Sequence, residues 1–289
     1  MRWRTGHSAP KGAAALPPLP ELHLSGEILR QALQAVIQGA EELGGIERYV
    51  DALKLKSDLF KDALAEGKHR TIPLETFMSL ATFMSSVRRR ITPYLDEKGM
   101  KTIREGLGIL LDNVADTTAT DQRMAGFARL FPDDRAHTYV RDLAAEVLHY
   151  TDPERYPLMC RWVWDAATNT GALREMWFGD NVDHTIIPAT DSYETFLALR
   201  RDLATLLTEN GVFRDHLFYM DLLVAQVYSH YICAQGGTYL RADFASPQDP
   251  MQYTRRLLGL DGVEPRSGRA RLKSIDGNAF IIDDHKLLG

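Results

Sequence analysis

A mainly α-helical fold, an irregular multi-helix bundle carrying a small C-terminal β-hairpin, is what this 289-residue sequence predicts. Three observations predict it. Apolar residues recur at a 3.6-residue period through most of the chain. Helix start and stop signals punctuate those stretches. No sustained apolar/polar alternation, no βαβ rhythm and no internal repeat of fixed period interrupts them.

Residues 1–20 are rich in Pro, Ala and Gly and end in Leu16-Pro17-Pro18-Leu19-Pro20. They offer too little apolar surface to offset their ordering entropy and read as a flexible tail. Ser25 then caps a helix with Ile28, Leu29, Leu33, Val36, Ile37, Ala40 and Leu43 as its apolar positions, stopped by Gly44-Gly45. A second helix, about Ile46 to Glu66, carries Tyr49, Val50, Leu53, Phe60 and Leu64, and the two form an αα-hairpin. Thr71 and Pro73 open a third helix, which buries Phe77, Leu80, Ala81 and Met84 and runs into Arg88-Arg89-Arg90, cations that complement a helix C-terminus. Thr92-Pro93 repeats the start signal. Further helices are expected at about 120–130, 134–150 and 155–169. Another starts at Asp191, with Glu194 in capping-box spacing, and stops at Asn210-Gly211. The strongest spans about 213–235, with Leu217, Met220, Val224, Val227, Tyr228 and Tyr231 along one side, and Asp249-Pro250 opens the last. Only 271–283 reads as β, because Asp276-Gly277 between two short apolar runs signals a hairpin turn. The expected organisation is therefore a tail (1–20), a helical domain (21–260) and a basic loop with a hairpin (261–289).

With 45% hydrophobic and 25% charged residues, the composition excludes a disordered or fibrous chain. A net charge of -5 makes the whole molecule no electrostatic nucleic-acid binder. Two cysteines, Cys160 and Cys233, lie in apolar contexts and read as free thiols of a reducing compartment. No run approaches the roughly 20 apolar residues of a membrane span. The N-terminus lacks the apolar core of a secretory signal, so the cytoplasm is the expected location and no membrane is an expected partner.

Familiar reaction motifs are missing: there is no glycine-rich phosphate loop, no strand-borne GxGxxG, no nucleophile elbow, no HExxH and no CxxC. No cofactor is expected. The least generic stretch is 152–184, which holds Trp162, Trp164 and Trp177 interleaved with Arg161, Asn169 and Arg174. Indole and guanidinium groups are what a desolvated interface uses, so these six are the candidate partner-binding residues, with another protein as the partner. The bland alternative is a corner whose tryptophans fill the core and whose arginines pair locally.

Glu146 and His149 form an E-x-x-H pair on one helical face, and Asp183, His184 and Asp221 could complete a polar site with them. Only one such pair exists, whereas di-iron bundles use two, so no metal site is expected. Asp221 beside an apolar stripe needs a partner, the expected ones being Arg174, Arg200 or Arg201; the sharper alternative is general acid–base duty. From Arg255 to Lys273 the chain is basic, and Arg266, Arg269, Arg271 and Lys273 are candidate phosphate contacts. The leading expectation is a non-catalytic accessory or regulatory protein that binds a partner through 152–184. An unfamiliar helical enzyme built on Glu146, His149, Asp183, His184 and Asp221 comes second, and nucleic-acid binding through 255–273 third.

Overall fold

A computed structural model describes residues 19–41, 44–179, 182–239 and 250–262, together with the backbone of 271–273 and 279–281. The tail expected over 1–20 lies almost wholly outside the described residues. The C-terminal hairpin is not supported, since its turn at 274–278 and its flanks lie outside them too.

Ten α-helices make up the described fold: α1 (Gly26–Glu41), α2 (Glu47–Leu64), α3 (Leu74–Thr82), α4 (Glu97–Leu111), α5 (Thr120–Ala128), α6 (Tyr139–Thr151), α7 (Ala172–Glu175), α8 (Tyr193–Glu209), α9 (His216–Tyr239) and α10 (Pro250–Leu257). Two of them form the centre. Every residue of α6 from Asp142 to Tyr150 is buried, as is every residue of α9 from Met220 to Val227. The apolar surface of α9 thus wraps the helix instead of running along one side, the pattern of a helix enclosed by others. It packs against α1, α2, α7, α8 and α10, while α6 packs against α2, α4 and α5. No described helix is long and apolar enough to cross a membrane.

Two expected helices end differently. Residues 152–171 form a compact run of turns, not a helix over 155–169. Pro153 and Pro157 remove two amide donors there, and the chain folds back so that Ala172 and Leu173 donate to the carbonyls of Trp162 and Val163. Asn169 (φ 52°) and Gly171 (φ 126°) supply the left-handed backbone this return needs. A Cβ on Gly171 would stand 2.8 Å from the Val163 carbonyl oxygen, so no other residue fits.

The other difference concerns Arg88-Arg89-Arg90. Helix α3 stops at Thr82, six residues before Arg88, and 84–91 continue as tight turns. The Phe83 and Met84 N–H groups reach back only three residues, to Leu80 O and Ala81 O, while the Ser79 oxygen accepts from the Thr82 hydroxyl. The Phe83 oxygen then accepts a hydrogen bond from the Lys56 ammonium at 2.8 Å, and Val87 N–H turns to Met84 O instead. The arginine triple is therefore carried on a turn and aimed across the surface, rather than closing a helix dipole.

Lys56 is buried at 0% exposure, and all three of its ammonium protons are used. Besides Phe83 O it donates to Glu146 Oε2 at 2.7 Å and to Leu258 O at 2.9 Å, and it stands 3.8 Å from the Tyr150 ring centroid. One side chain of α2 thereby ties together the end of α3, the middle of α6 and the end of α10. Gly259 follows in the left-handed region (φ 71°), pressed against Phe83, where an added Cβ would fall 1.6 Å from the Phe83 oxygen.

Candidate functional site

Ionisable residues recur on α6 at Asp142, Glu146 and His149, spaced i, i+4, i+7 and so on one face. Their surroundings differ. Glu146 is closed off by Lys56; burial raises its pKa, and Lys56 opposes that rise by charge and hydrogen bond. His149 is closed off by two acceptors. Its Nδ1 lies 2.7 Å from the Tyr156 carbonyl oxygen and must donate to it, while Nε2 lies 2.8 Å from Asp221 Oδ2 with one proton between them. Neither ring nitrogen is open to a substrate. Asp221 is thus partnered by a histidine. Arg200, one of the arginines expected to hold it, lies near but donates to the Pro153 and Glu154 carbonyls. A cavity of about 40 Å³ borders His149, Asp221 and Arg200 amid Phe196, Leu203 and Val224, room for a water or two.

The five residues of the expected polar site do not come together. His184 is exposed, whereas Glu146, His149 and Asp221 are buried. Asp183 lies beside His184 in the short turn Val182–His184, and its side chain lies outside the described residues. Among the described residues no group of three or more His, Cys, Asp or Glu is placed to hold a metal ion. Cys160 is buried, which pushes its thiol well above the usual range, and Cys233 is half-buried.

The 152–184 corner mostly serves itself. Trp162, Trp164 and Trp177 are 9%, 1% and 8% exposed. The Trp164 indole donates to Ala189 O. Trp177 meets the His23 ring edge-on, where the chain before α1 pairs with 176–178. Asn169 clips the corner to the next loop, donating to Thr185 O and accepting from Ile187 N–H. Arg174 donates to the carbonyls of Asn169 and Val182. Arg161 donates twice to Asp165 Oδ2. Large apolar side chains do reach solvent at its far edge, as Phe178 and Ile186 are both exposed.

Arg161 and Trp162 border a groove of about 430 Å³, together with Asp165 and Thr170 of the same corner. The turn after α3 lines it with Ser85, Ser86 and Arg88 to Arg90, joined by Arg256 of α10. Asp142 and Tyr228 line it as well. Five guanidiniums face two carboxylates in this space. Arg88 is bound in a bidentate pair to Asp261, and Arg90 donates to Thr138 Oγ1. Arg89 and Arg256 are exposed, and their guanidiniums have no hydrogen-bond or ion-pair partner among the described residues.

The two acids are tuned in opposite directions. Burial pulls the Asp165 carboxyl upward, but Arg161 outweighs it and holds the pKa below the ordinary value. Asp142 is raised, with burial the leading cause, opposed by the 2.7 Å bond from the Arg161 N–H and by the neighbouring Ser86, Arg161 and Arg141. Rings line the same space. Trp162 and Tyr228 are 6.0 Å apart between centroids, and Tyr231 continues the series at 6.1 Å.

Of the expected phosphate contacts, Arg266 and Arg269 lie outside the described residues, as do the side chains of Arg271 and Lys273. Arg256, from the same basic stretch, is in the groove. Sequence reasoning missed the groove because its walls come from five separated segments. No protein-family model matches the chain, and neither does any curated protein or solved structure.

Proposed function

We propose that this chain is a non-catalytic binding protein, an accessory or regulatory factor, whose working site is the arginine groove and whose ligand is a small anion bearing phosphate. One observation carries the reading: Arg89 and Arg256 face a groove of ligand size with no counter-charge of their own. A planar guanidinium holds carboxylate or phosphate oxygens through two parallel N–H donors, and partial enclosure by protein strengthens each bond. The buried His149–Asp221 and Lys56–Glu146 pairs support a binding role over a catalytic one, since each is saturated by its partner.

The test is calorimetric titration with pyrophosphate at low ionic strength. One site per chain is expected, with affinity falling at least tenfold in the double variant Arg89→Ala/Arg256→Ala. Absence of binding, or binding indifferent to that double substitution, overturns the proposal.

Docking of a partner protein at the 152–184 corner is the second reading. The exposed Phe178 and Ile186 favour it, rather than the buried tryptophans. A protein that co-purifies with the wild type and is lost from Phe178→Ser/Ile186→Ser, while pyrophosphate binding persists, would establish it; retention in that variant would dismiss it.

A further inference from the structure

The contents of the groove are more than an anion needs. At about 430 Å³ it has several times the room that a lone tetrahedral anion fills and lies within the range of small-molecule pockets. Two carboxylates stand inside it, and they leave part of the space better suited to neutral polar groups than to further negative charge. Asp142, Asp165 and the hydroxyls of Ser85, Ser86 and Thr170 instead suit a ligand body bearing O–H and N–H donors. The aromatic pair Trp162 and Tyr228, tilted 38° to one another, borders the same space and adds ring surface beside the charges. The cations Arg89 and Arg256 line the same groove as Trp162, on segments separate in sequence from it, so charged donors and aromatic rings are both within one cavity.

We infer that the ligand is a phosphate monoester of a sugar carrying a flat heteroaromatic ring, a nucleoside monophosphate in size and chemistry. Its phosphate is held by Arg89 and Arg256, its sugar hydroxyls face the carboxylates, and its ring lies against Trp162 and Tyr228. This rests on the anion-binding reading above. Base–aromatic stacking tolerates any base, so the groove selects the nucleotide class and discriminates weakly among bases.

Three probes separate the parts: adenosine 5′-monophosphate, ribose 5-phosphate and pyrophosphate. The nucleotide is expected to bind about tenfold tighter than ribose 5-phosphate, the gain that a stacked base supplies. It should also quench tryptophan fluorescence, which ribose 5-phosphate should leave unchanged. In Tyr228→Leu the advantage of the nucleotide over ribose 5-phosphate should shrink severalfold, with ribose 5-phosphate binding retained. Should that variant fail to fold, the affinity ratio and the quenching in the wild type still decide. A nucleotide no tighter than ribose 5-phosphate, with pyrophosphate still bound, overturns this inference and leaves the anion reading standing. Failure of pyrophosphate as well overturns both.

Discussion

Glu146 and His149 on α6 each meet a partner that uses up their charge, whereas Asp142, one turn earlier on the same face, opens onto a groove with more cations than anions. Both regions break the rule that charge stays in water, and they break it for different ends. A buried charge with one matched partner fixes where helices sit and has nothing left to offer a ligand. Positive charge in excess of its counter-charge, held in a concave site, is disadvantageous until something anionic arrives. Surplus, more than burial, separates the proposed binding groove from the architectural pairs in this molecule.

The sharpest way to break that comparison is at Lys56. Lys56→Met leaves Glu146 buried without a counter-charge and two carbonyls without a donor, and should cost about 3–5 kcal/mol of stability. Urea unfolding measures it. Lys56→Met combined with Glu146→Leu should recover most of the loss, since a matched apolar pair replaces a matched ionic one. No recovery would mean that the ammonium serves its carbonyls more than its carboxylate.

Next comes Gly259→Ala. The left-handed backbone alone should cost about 1–3 kcal/mol, to which the collision with Phe83 O adds. Because Arg256 lies three residues away, pyrophosphate affinity should fall in the same variant, while thermal unfolding reports the stability loss independently.

Arg89→Ala/Arg256→Ala tests the opposite pole. Neither side chain has a partner to lose among the described residues, so stability should stay within about 0.5 kcal/mol of wild type while pyrophosphate affinity drops. Equal losses in both measurements would collapse the distinction between the two regions.

The smallest effect is expected at Asp142. Its raised pKa means that its charge emerges only above the ordinary carboxylate range, as the pH climbs through the raised value. Sulfate keeps its own charge across that range, so its affinity should weaken as pH rises there. Among the described residues the groove is lined by no histidine, and Asp165, held low, is already ionised. Asp142→Asn keeps the acceptor for Arg161 N–H, and should flatten the profile and bind sulfate a few-fold tighter at the upper end. Stability runs the same way: the folded chain binds that proton more tightly than the unfolded one, so rising pH through this window erodes stability in the wild type and not in the variant.

Much of the helical framework was legible in the sequence, because period and punctuation are local. Ser25, Asn210-Gly211 and Pro250 mark ends that the structure places within a residue or so. Where a distant group competes for the backbone, local signals mislead. The carbonyl of Phe83, just past the end of α3, is held from 27 residues away, and Arg88 to Arg90 lie on a turn instead of a helix end. Lys56 itself carried a signal that went unread. It lies three residues after Leu53 and four before Phe60, a cation on an apolar stripe, and such a position needs a buried acceptor. Glu146 and His149 were visible as a pair, but Asp142 completes the stripe and was passed over. The indoles of 152–184 drew attention for their residue type, yet only Trp162 with Arg161 borders the groove, because the turn that buries the others depends on Asn169 and Gly171. The groove could not be read at all from spacing, and a net charge of -5 averages its cations away.

The hold of Lys56 on Leu258 O joins positions 202 residues apart, and Arg88 reaches Asp261 across 173. Loops of that length must close before their contacts return any free energy, which makes such pairings late events in folding. Arg256 of α10 borders the groove. Its position is therefore set only when the segment through Asp261 has joined helices that lie far earlier in the chain, so the proposed anion site is completed after the core beneath it.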